Sequence, residues 1–187
     1  MIWLFIWLTT TAGLQGALFW FGVGILLSLA GDIALMFSSR FFTLGLLAFL
    51  LAHIAYVFGF NTPPPQTLDV WAIAISIIIG LNAMRLGRRI LAGVRTTQAR
   101  LVVPVIVYSA VITLMLLSAL LTLFRPEWKS TPAYLVSMGA FLFYLSDIVL
   151  AWNKFISPIK NGRLINIATY HLGQILLIVG AVSQFSG

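Results

Sequence analysis

The sequence predicts an all-α membrane protein, a polytopic transmembrane helix bundle of about seven spans that forms one domain over residues 1–187. Hydrophobic residues make up 61% of the chain and charged residues only 8%. A typical soluble domain is about 45–50% apolar and about 25% charged. The apolar residues stand in long runs, near the ~20 residues that a spanning helix needs. Barrel strands are excluded, because they are only about 10 residues long and alternate between apolar and polar.

Seven apolar runs are candidate spans, and turn-forming or charged residues separate them. Three prolines at 63–65 break the chain after the third run, Arg125 and Pro126 end the fifth, and Pro158 precedes the last. The first run is short for a full span. The predicted spans are 1–15, 17–37, 41–60, 68–86, 101–124, 133–152 and 164–185.

The basic residues are concentrated on one side of this predicted bundle. The net charge is +7, which in a soluble protein would suggest nucleic acid, but here the basic residues lie between apolar runs, so no nucleic-acid partner is predicted. Only Arg125 and Lys129 fall on the other side. Because cytoplasmic loops are enriched in Lys and Arg, we predict a cytoplasmic N-terminus and an external C-terminus. The predicted cytoplasmic residues are Arg40, Arg85, Arg88, Arg89, Arg95, Arg100, Lys154, Lys160 and Arg163.

Two aspartates stand inside apolar runs, Asp32 in "LSLAGDIALMF" and Asp147 in "FLFYLSDIVLAWNKF". A carboxylate at the centre of a bilayer costs about 2.5–3.5 kcal/mol on the insertion scale, so such residues are usually functional. Both lie about five residues, or ~7–8 Å, from the predicted cytoplasmic ends of their helices. Their equal depth predicts that both face one polar cavity.

Other polar residues recur on single faces of the predicted helices. On the sixth helix, Ser137, Ala140, Tyr144, Asp147 and Ala151 step by three and four, which is typical of a face turned toward other helices. Each polar residue has the alternative of a simple interhelical hydrogen bond, and each tyrosine that of a core aromatic. No metal-ligand spacing or phosphate-binding glycine loop is visible, so no metal or cofactor is predicted. The candidate orienting residues are His53, Tyr56, Asn82, Tyr108, Tyr144, Tyr170 and Gln174.

Two buried carboxyl groups allow two kinds of function. Burial raises the pKa of a carboxyl group, and a second carboxyl nearby raises one of the two further, which leaves an acid beside an ionised base. Glycosidases use this arrangement to cleave acetals through an oxocarbenium-like transition state. In a membrane the acid-labile substrate would be a lipid. The same pair can couple proton movement to transport, and the residues alone do not separate the two functions.

The sequence resembles the lysoplasmalogenase family of multi-spanning membrane proteins, the YhhN-like family. The matching segments cover nearly the whole chain after the first apolar run. They are "LAGDIALMF", "RFFTLGLLAFLLAHIAYVFGF", "VVPVIVYSAVITLMLLSAL", "GAFLFYLSDIVLAWNKF" and "YHLGQILLIVGA". The resemblance implies an eight-helix bundle that lacks its first helix here, because the chain starts at "MIWLFIWLTT" without a Lys-Pro entry to the second helix.

The resemblance also implies a reaction, the hydrolysis of the vinyl-ether bond of a lysoplasmalogen to a fatty aldehyde and a glycerophospho-alcohol. Asp32 and Asp147 would be the catalytic pair, one donating a proton while the other stabilises the cation and orients water. Asn153 joins the orienting residues, and cytoplasmic arginines would hold the phosphate. The implied partners are a lysophospholipid substrate and membrane lipids, and the implied location is the cytoplasmic membrane of a bacterium. The rival function is a proton-coupled transporter or lipid-handling protein that uses the same aspartates.

Overall fold

The computed structural model describes residues 1–37, 41–65 and 69–186, and these residues form helices and connecting turns without a strand. Six of the helices are long and apolar enough to cross a membrane, so the protein is a multi-pass integral membrane protein. The remaining helix, α1, has 10 residues, which at 1.5 Å per residue covers about half of a ~30 Å hydrocarbon core. The helices are α1 Ile2–Thr11, α2 Ala17–Met36, α3 Phe42–Phe60, α4 Val70–Thr97, α5 Val102–Leu121, α6 Ser130–Phe155 and α7 Gly162–Phe185.

The fourth helix is longer than the sequence predicts. α4 continues to Thr97, so the predicted end of the fourth span at residue 86 is wrong, and Arg85, Arg88, Arg89 and Arg95 lie on the helix. Arginine lowers the mean hydropathy of the chain but, like leucine and alanine, favours helix strongly. The mean hydropathy therefore falls about three turns before the helix itself ends. Arg40 and the predicted start of the fourth span at residue 68 lie outside the described residues.

Helices α6 and α7 pack backbone against backbone through glycines. A Cβ atom on Gly139 would lie 2.7 Å from the carbonyl oxygen of Gly173 and 2.6 Å from the amide nitrogen of Leu177. A Cβ on Gly173 would in turn lie 2.8 Å from the carbonyl oxygen of Gly139. Small residues allow this close approach, which is how helices associate where no hydrophobic driving force exists between them and lipid. The pair is therefore the closely packed part of the bundle in which a larger side chain at either glycine would meet backbone.

Helices α2 and α3 form a second close pair, in which glycines of α2 make room for aromatic rings of α3. A Cβ on Gly31 would lie 2.6 Å from the ring of Phe49, and a Cβ on Gly24 would overlap the ring of Tyr56. Helices α2 and α7 also contact each other, and α5 packs against α3 and α6. The main core lies between these helices, with Phe143 and Ile178 among its fully buried side chains.

Helix α4 lies at the periphery and packs chiefly against α5 and α6. Only Ala72, Ile90 and Val94 of its residues are buried. Ile90 and Val94 join a small separate cluster with residues of α5 and α6, including Phe155. A Cβ on Gly93 would overlap the carbonyl oxygen of Phe155, so this end of α4 is fixed against the end of α6.

Arg125 joins the two loops at the other end of the bundle. Its guanidinium donates to the carbonyl oxygen of Phe60 at 2.8 Å and to that of Pro63 at 2.7 Å. The residue is only 7% exposed, and its Nε lies 3.6 Å from an oxygen of Glu127. Arg125 therefore satisfies the carbonyl group of Phe60 at the C-terminal end of α3, which has no intrahelical partner, and that of Pro63 in the loop that follows.

Candidate active site

Asp147 is the centre of one polar cluster, which we call the Asp147 cluster and which contains His53, Tyr108 and Asp147. The Tyr108 hydroxyl donates to Asp147 Oδ2. His53 Nε2 lies 3.3 Å from the same oxygen and 3.0 Å from the Tyr108 hydroxyl oxygen. Because the Tyr108 proton is used toward the carboxylate, its oxygen accepts, and the network assigns the hydrogen to Nε2 of His53. Two donors thus point at one carboxylate oxygen.

Three different helices bring these residues together. His53 comes from α3, Tyr108 from α5 and Asp147 from α6. The imidazole is fully buried, and the Asp147 side chain is 13% exposed. The other ring nitrogen, His53 Nδ1, is buried and has no hydrogen-bond partner among the described residues. The imidazole therefore makes its polar contacts only on the side of Asp147.

A second polar cluster, the Asp32 cluster, joins α2, α3 and α7. The Tyr170 hydroxyl donates to Asp32 Oδ2 at 2.9 Å. One turn along α7, Gln174 accepts a hydrogen bond from the Tyr56 hydroxyl at 2.7 Å and donates to the Ser28 hydroxyl at 3.1 Å. Gln174, Tyr56 and Ser28 are fully buried, and buried polar groups need such partners. The predicted residues Tyr56, Tyr170 and Gln174 therefore lie together with Asp32.

A fully buried phenylalanine, Phe143, connects the two clusters. The centroid of its ring lies 4.7 Å from that of His53 and 5.2 Å from that of Tyr170. The ring of Phe49 packs nearby, at 5.8 Å from Tyr170 and 6.2 Å from Phe143. The two polar clusters are thus neighbours across an aromatic layer.

A cavity of about 650 Å³ opens beside the Asp147 cluster, between α3, α4, α5 and α6. This volume is within the range of about 300–1,000 Å³ that ligand pockets occupy. Asp147, Tyr108 and Tyr144 line it, and most of the other lining residues are apolar. The cavity can therefore hold a largely apolar ligand with one carboxyl group against it.

Asp32 is not among the residues that line this cavity, which differs from the prediction that both aspartates face one cavity. Phe49 lines the cavity on this side and packs against Gly31 and Tyr170, next to Asp32. Equal depth in the membrane gives the level of two side chains but not their direction around the bundle. Asp147 therefore faces the cavity, whereas Asp32 is held on Tyr170.

Two predicted orienting residues lie away from both clusters, which corrects their assignment. Asn82 is exposed on α4 and donates to the carbonyl oxygen of Ile78 in its own helix at 2.8 Å. Asn153 accepts a hydrogen bond from the amide of Ile159 at 2.7 Å and so shapes the turn between α6 and α7. The sequence shows that a helix has a polar residue but not which side of α4 meets the bundle.

The sequence reasoning missed one member of the site, Phe143, as a candidate. Phe143 stands four residues before Asp147, just as Ser28, which the sequence places on one face of the second helix with Asp32, stands four residues before that aspartate. Residues four apart share a helix face, so this spacing was the available signal. Among the described residues, no group of three or more His, Cys, Asp or Glu side chains is arranged to hold a metal ion.

Comparison with known proteins gives a family over nearly the whole chain. The YhhN family model matches residues 1–181. The chain is 30% identical over 185 residues to lysoplasmalogenase TMEM86B of Homo sapiens, covering 95% of this chain and 69% of that protein. It is 32% identical over 176 residues to lysoplasmalogenase TMEM86B of Sus scrofa, covering 93% and 65%. It is 31% identical over 165 residues to lysoplasmalogenase TMEM86A of Homo sapiens, covering 87% and 65%.

No solved structure gives a significant match to the chain. The family match includes every residue of the two polar clusters. With this match and relatives at about 30% identity along most of the chain, this protein belongs to the YhhN family.

Proposed function

We propose that this protein is an integral membrane hydrolase that cleaves the vinyl-ether bond of a lysoplasmalogen, releasing a fatty aldehyde and a glycerophospho-alcohol. The observation that carries the proposal is Asp147, a carboxyl group that lines a largely apolar cavity inside the membrane span. The relatives named lysoplasmalogenase support this substrate class. A lipid with one acid-labile bond fits such a cavity, because only the reacting part of the molecule needs a polar neighbour.

In the proposed mechanism Asp147 is the general acid. Its carboxyl proton passes to the β-carbon of the vinyl ether, which forms a new C–H bond and leaves an oxocarbenium ion. The resulting carboxylate faces the cation, and the Tyr108 hydroxyl and His53 Nε2 stabilise it by hydrogen bonding. Preorganised donors of this kind act strongly where water is excluded.

Water then completes the reaction. It adds to the cationic carbon and returns a proton to Asp147, which restores the acid. The hemiacetal breaks its bond to the glycerol oxygen while its hydroxyl proton passes to that leaving oxygen. The products are one aldehyde and one alcohol, and one water molecule is consumed.

We propose that Asp32, the second aspartate of the predicted pair, acts through Tyr170. Tyr170 donates to Asp32 and packs against Phe143, which contacts His53. If this chain of contacts carries the effect, Asp32→Asn and Tyr170→Phe lower kcat by similar factors, and the double variant loses little more than either single variant, because coupled residues are not additive. If Asp32 instead contacts the substrate, Asp32→Asn abolishes turnover while Tyr170→Phe retains most of it.

The test of the function uses the purified full chain, a defined lysoplasmalogen and detection of released aldehyde. In deuterated water, deuterium should appear on the carbon next to the aldehyde group, because the mechanism takes that hydrogen from solvent. A matching lysolipid with a saturated ether should bind and remain uncleaved. Absence of aldehyde, together with movement of protons or a solute across sealed vesicles that depends on Asp147, would establish the rival transporter function instead.

A further inference from the structure

The cavity has a second charged residue besides Asp147. Among the described residues that line it, Arg88 of α4 is the cation. Within the described part of the chain, its guanidinium donates to the sulfur of Met84 at 3.8 Å, which is a weak acceptor. A guanidinium carries five N–H donors and recognises phosphate oxygens in a planar, bidentate geometry. The guanidinium therefore has donors available for an anion beside the cavity.

The relative depth of Arg88 and Asp147 follows from one contact. Gly93 of α4 touches the carbonyl oxygen of Phe155 of α6, and both helices run toward this contact. Counted back at 1.5 Å per residue, the Cα of Arg88 lies about 7–8 Å from that level and the Cα of Asp147 about 12 Å. Arg88 is thus about 4–5 Å nearer the Gly93 end of the cavity than Asp147.

The apolar lining continues beyond Asp147. Helix α5 runs in the opposite direction, so residues after Tyr108 lie progressively farther from the Gly93 end. They include Ile112, Leu114 and Leu117, which line the cavity. Along the cavity the order is therefore a cation, then a carboxyl group, then an apolar section.

We infer that Arg88 binds the phosphate of a lysolipid whose ether lies at Asp147 and whose alkyl chain extends along α5 toward Leu117. This inference rests on the proposed function, because it assigns the orientation of that substrate in that cavity. In a lysophospholipid the phosphate and the ether occupy the two end carbons of one glycerol, and the alkyl chain continues from the ether. The chemical order of phosphate, ether and chain matches the order of Arg88, Asp147 and Leu117. Arg88 is then a specificity-determining residue that does not take part in proton transfer.

The experiment compares two non-cleavable ligands, a saturated-ether lysophospholipid and its phosphate-free alkyl glycerol. Binding to the purified full chain in nanodiscs is followed by tryptophan fluorescence, since the chain has 6 tryptophans. The wild type should bind the phosphate-bearing ligand more tightly. Arg88→Ala should weaken that binding by about 10- to 100-fold, the usual range for a hydrogen bond to a charged group, and leave the phosphate-free ligand unchanged. Arg88→Lys should keep part of the preference.

Arg89→Ala is the matched control, because Arg89 is an exposed neighbour on α4 that does not line the cavity. It should keep the wild-type preference for phosphate. With the vinyl-ether substrate, Arg88→Ala should raise KM by a similar factor and leave kcat nearly unchanged, which separates phosphate binding from proton transfer.

Two results would overturn the assignment. One is an equal loss of affinity for both ligands in Arg88→Ala, and the other is the same loss in Arg89→Ala, which would indicate a general attraction to lipid phosphates at the membrane surface. Failure of the proposed function gives a different result from failure of the Arg88 assignment. If the protein is not a hydrolase, no aldehyde is released from the vinyl-ether substrate, whereas the saturated-ether ligands still bind as expected.

Discussion

Replacement of Asp147 by asparagine is the most direct test of the proposed acid. Asparagine has nearly the same size and keeps an oxygen that accepts the hydrogen bond from Tyr108, but its amide has no proton to deliver to a vinyl ether. General acid catalysis contributes about 10²–10⁴-fold to rate, which corresponds to about 3–5 kcal/mol at 1.36 kcal/mol per tenfold. We therefore expect kcat to fall by about 10²–10⁴-fold and KM to change little.

The stability of this variant should change only modestly. A hydrogen bond between neutral groups contributes about 0.5–1.5 kcal/mol, and asparagine keeps an acceptor for Tyr108, so the variant should lose no more than about 1 kcal/mol, or ~2–4 °C in Tm for a chain of this size. The assay is aldehyde release over a range of substrate concentrations, with thermal unfolding measured on the same preparations. Asp69→Asn is the matched control, because Asp69 caps α4 through the amide of Trp71 and asparagine caps equally well. Near-normal kcat in Asp147→Asn, with the protein folded, would refute the role of Asp147.

Two further predictions concern packing and topology. Gly173→Ala should lower stability by about 1–3 kcal/mol through overpacking, because its Cβ would lie 2.8 Å from the carbonyl oxygen of Gly139. Gly80→Ala, with open space around that position, should instead raise stability by about 0.5–1 kcal/mol, and equal Tm changes in the two variants would contradict the packing. The natural chain has no cysteine, so Thr97→Cys and Pro64→Cys can be labelled singly. They should react with impermeant reagents from the cytoplasmic and external sides respectively, and labelling of both from one side would exclude the predicted topology.

The sequence predicted six of the seven spans well, because hydropathy is summed over about 20 residues and errors at single positions cancel. The predicted first span, 1–15, is instead a helix of only 10 residues. The sequence also failed at the end of α4, where arginines lower hydropathy without ending the helix. Asn82 was assigned to the site, but the structure turns it away from the bundle. The side-chain amide of Asn82 donates to a carbonyl group of its own helix and needs no partner on another helix, so one polar residue does not tell which side of α4 meets the bundle.

For the candidate site, the sequence identified most of the polar residues and missed their pairing. His53, Tyr108 and Asp147 were each named, yet their convergence on one carboxylate oxygen depends on how α3, α5 and α6 cross. The placement of Asp32 outside the cavity lining depends on the ring of Phe49. An aromatic side chain that separates two polar groups leaves no mark in hydropathy, because it reads as one more apolar residue.

The loose packing of helix α4 determines where substitutions can change the cavity without unfolding the protein. Ala83, Met84 and Leu91 line the cavity, yet few residues of α4 are buried, and a Cβ atom added to Gly87, which also lines the cavity, would meet open space. Substitutions at weakly packed positions usually change stability by less than about 0.5 kcal/mol, so cavity shape can vary here almost independently of folding. Mutational tolerance and ligand preference therefore coincide on α4, whereas the α6–α7 pair, which carries Asp147, tolerates little change. Directed evolution of headgroup preference should accordingly recover its substitutions on α4.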